Sequence, residues 1–65
     1  MKYTRHYDNN KILQSYKCEK GIIKCHYFDI TESGEFHKDY IACPNDGRKP
    51  IRYSLLREAK AYLEK

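Results

Sequence analysis

The chain has 65 residues, 40% of them hydrophobic and 34% charged, with 7 Tyr and 2 Phe supplying most of the large apolar area. That balance fits one small globular domain rather than a disordered polymer, and so short a chain buries only about 60% of its unfolded surface, leaving room for one core. No stretch approaches the roughly 18 apolar residues of a membrane span, and the net charge of +4 permits acidic partners without demanding them.

Residues 1–20 and 44–65 each carry a net +3 while residues 21–43 carry −2, so basic ends flank an acidic middle. The start, Met1-Lys2-Tyr3-Thr4-Arg5-His6-Tyr7-Asp8, lacks the apolar run of a signal peptide. Three cysteines are too few and too odd for a disulfide framework. Reduced thiols and a cytoplasmic location are therefore expected.

Residues 1–10 read as a flexible or partly ordered arm, ending in the turn-prone Asp8-Asn9-Asn10, ahead of a single domain over 11–65. Three runs rich in Ile, Tyr and Phe follow, at 11–18, 22–30 and 36–43, and read as strands. Glu19-Lys20-Gly21 and Glu32-Ser33-Gly34 connect them. A three-residue hairpin loop closes with a left-handed residue, a conformation that Gly takes without steric cost.

Loop length fixes register, and register decides which side chains share a face. Two three-residue loops place Cys18 opposite Ile22, Cys25 opposite Ile41, His26 opposite Tyr40, Asp29 opposite His37 and Ile30 opposite Phe36. The even-numbered face then gathers Ile12, Tyr16, Cys18, Ile22, Phe28, Ile30, Phe36, Tyr40 and Ala42 as the core. The odd face mixes Cys25, Tyr27 and His37 with Asp29, Glu35 and Asp39, and stays open. A two-residue first loop would send Tyr16 and Cys18 to the other side of the second strand.

Residues 44–53 form a loop punctuated by Pro44, Gly47 and Pro50. Ser54 is the expected N-cap of a helix over 54–64, without the Glu or Gln that would complete a capping box. Leu55, Leu56, Ala59, Tyr62 and Leu63 fall within an arc of about 120°. A helix this short is marginal alone, so it must pack on the sheet. The expected fold is α+β: a three-stranded antiparallel sheet (11–18, 22–30, 36–43) packed on one C-terminal helix (54–64).

Cys18, Cys25, His26, His37 and Cys43 contain enough thiol and imidazole for zinc, but no Cys-x2-Cys knuckle is present and neighbours along a strand point to opposite faces. Cys25 and His37 share the odd face but lie four residues apart along adjoining strands, roughly 13 Å, too far for a nucleophile and its base. The three glycines sit in separate turns and make no phosphate loop. No metal, no cofactor and no catalysis are expected.

The reading that remains is a small non-catalytic interaction or regulatory protein that binds a protein partner, because basic ends and an acidic middle orient a partner rather than attract any polyanion. Tyr and Arg are also enriched among interface hot spots. The expected contact residues are Tyr27, His37 and Asp39 on the open face, with Arg48, Lys49 and Arg52 beside it. The third strand, as a sheet edge, could accept a further strand. The alternative is a nucleic-acid-binding module that uses the basic arm and the 48–57 segment; acidic groups on the open face argue against it.

Overall fold

The computed structural model describes residues 1–30, 32 and 36–65. It is α+β, an antiparallel sheet with one C-terminal helix, and the sheet has five strands rather than the three expected. They are β1 (Thr4–Tyr7), β2 (Leu13–Cys18), β3 (Gly21–Ile30), β4 (Phe36–Pro44) and β5 (Ile51–Tyr53), followed by α1 (Leu56–Leu63). The strands lie side by side in chain order.

Both additional strands come from segments read as an arm and a loop. β1 exists because Asp8 turns the chain back on itself: its Oδ1 accepts the Asn10 and Ile12 amides at 2.8 and 2.9 Å, and its own amide donates to the Ile12 carbonyl. The left-handed Lys11 (φ 64°) completes this turn. With the turn closed, Thr-Arg-His-Tyr pairs with β2, Arg5 opposite Tyr16. β5 is the alternating Ile51-Arg52-Tyr53 laid along Tyr40–Ala42, so β4 is internal there rather than an edge.

The first loop has two residues, not three. Cys18 pairs with Gly21, which belongs to the ladder instead of the turn. Gly21 adopts φ +148°, and a Cβ there would lie 2.3 Å from the Cys43 carbonyl oxygen. What selects glycine at position 21 is therefore the close approach of β4 as well as the backbone angle. Asn45 fastens the same corner, donating from its amide to the Lys20 carbonyl and from Nδ2 to that of Glu19. The second expected loop, Glu32-Ser33-Gly34, lies mostly outside the described residues.

The one-residue change in register exchanges the faces of β3. Tyr16, Ile23 and Ala42 stand in one row across β2, β3 and β4, and Cys25, Tyr40 and Tyr53 form a second row. These rows meet the helix, whose Ala59 and Leu63 are buried with Tyr16, Ile23 and Ala42, while Leu56 and Tyr62 pack at the margin. Ile22 and Phe28, expected in the core, lie on the other face, and Ile12 is exposed in the β1–β2 turn. Ile23 and Leu63 are the largest fully enclosed side chains. Burying each contributes roughly 1.5–3 kcal/mol.

A bulge at Phe28 then restores the expected pairing further along. The β3–β4 partners run from Gly21–Pro44 to Tyr27–Lys38, skip Phe28, and resume at Asp29–His37 and Ile30–Phe36. An extra residue on one strand bends it and re-aims the side chains beyond it.

The helix begins one turn position later than expected. Leu55 is the N-cap, in extended conformation and with no side-chain cap, while Ser54 is exposed and precedes it. At the other end Glu64 is the C-cap, its amide donating to the Lys60 carbonyl, and Arg48 reinforces it. Its Nη1 donates to the Tyr62 carbonyl at 2.7 Å and its Nη2 to the Leu63 carbonyl at 3.4 Å. A fixed cation against the last carbonyls satisfies orphan acceptors and complements the helix dipole.

Candidate partner-binding face

The helix covers one side of the sheet, and the row pattern assigns the other side residue by residue. Across it run Lys17, Ile22 and Cys43 in one row, and Ser15, Lys24, Ile41 and Arg52 in the next. His26 and Asp39 face each other in the third. Because β2 partners end at Lys24 and β5 partners at Tyr40, the rest of the β3–β4 ribbon carries this face past the body of the sheet.

On that ribbon, Phe28 is 57% exposed, an unusual position for so large an apolar side chain in a small chain. Its ring lies between two imidazoles: stacked on His26 at 6.1 Å and edge-on to His37 at 6.1 Å. The bulge puts it there. Aromatic contacts at these centroid separations hold a ring in place at little further entropic cost on binding.

Next to this strip is Asp39, only 15% exposed at its side chain, with Arg52 Nε 3.4 Å from Oδ2 and His26 Nδ1 3.3 Å from Oδ1. His26 makes no hydrogen bond there, and Oδ1 is shielded from solvent with no hydrogen-bond partner among the described residues. A carboxylate so placed keeps unused acceptor capacity just beneath the face, covered by its own neighbours. Arg52 remains 62% exposed, and its guanidinium keeps donors free for a partner.

The six residues expected to make contact are thus divided. His37, Asp39 and Arg52 come together on the helix-free face. Tyr27 does not: it lies on the helix side, where its hydroxyl donates to the Leu13 carbonyl at 2.7 Å and Lys38 sits 5.8 Å from its ring. Burial raises the pKa of that hydroxyl, with the nearby Cys25 sulfur adding to the effect. Arg48 is committed to the helix end, to Asp46 (Nε to Oδ2 2.8 Å) and to the Tyr62 ring at 4.7 Å. Lys49 is exposed in the loop, with its carbonyl accepting the Tyr62 hydroxyl at 2.8 Å.

Reasoning from the sequence missed His26 and Phe28, because the three-residue loop gave them the parity of the core. The signal that would have found them is the two-residue alternative for the first loop, which reverses the faces of β3. The same reversal separates Cys25 from His37, which stand on opposite sides of the sheet instead of sharing one. Burial also raises the Cys25 thiol pKa. Cys18 faces the helix side and Cys43 the open side, and no group of three metal-binding side chains occurs among the described residues.

No helix among the described residues is long and apolar enough to cross a membrane. Comparison with protein-family models, with curated proteins and with solved structures finds no match to this chain.

Proposed function

We propose that this chain is a small, non-catalytic binding protein whose helix-free face docks onto a partner protein. The observation that carries the reading is Phe28, a solvent-exposed ring braced by His26 and His37 beside the Asp39–Arg52 pair. Interface hot spots are aromatic or arginine anchors that a polar surround shields from water, and this cluster has both parts. The charged side chains described on the face are Lys17, Lys24 and Arg52 against a mostly covered Asp39. An acidic partner surface complements them.

A specific observation also favours nucleic acid: an exposed ring with three cations on one sheet face has the elements of a base-stacking platform. Magnitude decides against it. Arg52 already serves Asp39, so two or three phosphates at most would be neutralised, and the salt slope for a single strand would be only about −2. So small a counterion term gives little binding at physiological salt. We place the protein in the cytoplasm, where its three free thiols stay reduced.

The test separates the two partner classes. A mobility-shift titration with single-stranded and duplex DNA and RNA at two ionic strengths should show no complex at physiological salt. Tight binding with a steep salt slope would overturn the protein-partner reading. Capture from the source cells by the whole chain should retain a protein that the Phe28→Ala variant loses.

A further inference from the structure

On the helix side, away from the face described above, a cavity of about 450 Å³ lies between the β1–β2 hairpin and α1. Its walls are Met1, Tyr3, Arg5, Tyr16 and Lys60. The volume falls within the about 300–1,000 Å³ typical of small-molecule sites.

The wall chemistry is one-sided. Arg5 and Lys60 bring two cations, and no carboxylate of a described residue lies within 4.0 Å of either. Glu64, one helical turn beyond Lys60, stands at the margin of the same wall, where its Oε2 accepts the Tyr3 hydroxyl at 2.8 Å. Lys60 is instead held over aromatic faces, its Nζ 4.8 Å from the Tyr3 ring centroid and 5.9 Å from that of Tyr16. Arg5 stands directly across the ladder from Tyr16, so both project into the same space. Tyr16 is 9% exposed and forms a fixed floor.

Two cations without a carboxylate partner among the described residues, Lys60 over the Tyr3 and Tyr16 rings and Arg5 beside Tyr16 on the ladder, suit an anion attached to a flat body. A guanidinium grips a phosphate through two parallel N–H donors, and an ammonium adds a point charge. The rings supply the apolar wall. We propose that this cavity binds a small organic phosphate, a phosphomonoester carried on a planar ring, with Arg5 and Lys60 on the phosphate and the tyrosines against the ring. The site is on the opposite side of the sheet from Phe28 and is independent of the proposed partner face.

Adenosine 5′-monophosphate is a suitable probe, titrated into the whole chain and followed by amide chemical shifts. The expected result is saturable movement at Tyr3, Arg5, Tyr16 and Lys60. Adenosine, which lacks the phosphate, and inorganic phosphate, which lacks the ring, should each bind about tenfold more weakly or worse. Arg5→Gln and Lys60→Gln should each weaken the nucleotide about tenfold while leaving the spectrum otherwise folded. Several results would overturn the proposal: no saturation by about 5 mM nucleotide, movement confined to Lys17, Lys24 and Arg52, unchanged affinity in both variants, or inorganic phosphate binding as tightly as the nucleotide.

Discussion

Arg48 and Tyr62 lock the chain's long loop to its helix from both directions. The arginine donates to the Tyr62 carbonyl at 2.7 Å with its guanidinium 4.7 Å from the ring, and the Tyr62 hydroxyl donates to the carbonyl of Lys49 at 2.8 Å. Arg48→Ala should therefore destabilise the fold by about 1–3 kcal/mol, the range for losing charged hydrogen bonds at half-buried acceptors. In a chain of this size each kcal/mol lowers Tm by about 4–8 °C. Lys49→Ala should stay within about 0.5 kcal/mol. Thermal or urea unfolding of the two variants measures the contrast, and equal losses would contradict this role for Arg48.

The same arginine sets the ionisation of its neighbour. Its side-chain hydrogen bonds, and then its backbone amide, lower the pKa of the exposed Asp46 below 3.8. The stability linked to Asp46 is thus present above its unfolded pKa and lost as pH falls through the folded one. An NMR titration should find the Asp46 carboxyl midpoint below 3.8 in the native chain. In Arg48→Gln it should move up toward the unperturbed value.

Gly21 and Gly47 offer a paired test of close approach. Both have positive φ, +148° and +94°, but a Cβ at 21 meets the Cys43 carbonyl at 2.3 Å while one at 47 meets nothing within 4 Å. Gly47→Ala should cost on the order of 1 kcal/mol for the backbone conformation alone. Gly21→Ala should cost clearly more, because β4 has to move. Urea midpoints at matched slopes give the comparison. The reverse order would show that β4 does not approach Gly21 so closely.

The core is small enough that one deletion consumes much of its stability. Ile23→Ala and Leu63→Ala remove the largest enclosed side chains, and each should destabilise by about 2–5 kcal/mol. Ile22→Ala, one position along on the open face, should cost markedly less. This pair tests register directly, since a three-residue first loop exchanges their roles.

Alkaline pH should loosen the helix side. Burial, as the leading cause, raises the pKa values of the Cys25 thiol and of the Tyr3, Tyr16 and Tyr27 hydroxyls. Each group holds its proton more tightly in the folded chain than in the unfolded one. The associated stability is complete below the unfolded values, about 8.5 for a thiol and about 10 for a phenol, and is lost as pH rises through the folded ones. Urea midpoints should decline from pH 8 toward pH 11, and alkylation of Cys25 should remain slow near pH 8. A flat pH profile would contradict this burial pattern.

Much of the fold was legible in the sequence, and the errors in face assignment trace to one residue. The helix's apolar arc names Leu55, Leu56, Ala59, Tyr62 and Leu63; the last four pack toward the sheet, while Leu55, the N-cap, is 45% exposed. Asp8-Asn9-Asn10 reads correctly as a turn, and a turn preceded by Tyr3-Thr4-Arg5-His6-Tyr7 is enough to imply β1. β5 is too short to carry a periodic signal. Register failed at Gly21, where a long-range contact with Cys43, not the local turn, selects the glycine. That single residue moved Phe28 and His26 to the open face and Tyr27 to the helix side. Asp29–His37 survived only because the bulge at Phe28 absorbs the difference.

The most direct test of the account is the affinity of the captured partner for variants on the two sides of the sheet, measured by calorimetry. Phe28→Ala should weaken binding by at least about 2 kcal/mol, close to thirtyfold, and Arg52→Ala should also weaken it, while Lys60→Gln on the helix side should leave it within about twofold. Unchanged affinity in Phe28→Ala, or a larger loss in Lys60→Gln than in Phe28→Ala, would contradict the assignment of the helix-free face as the docking surface.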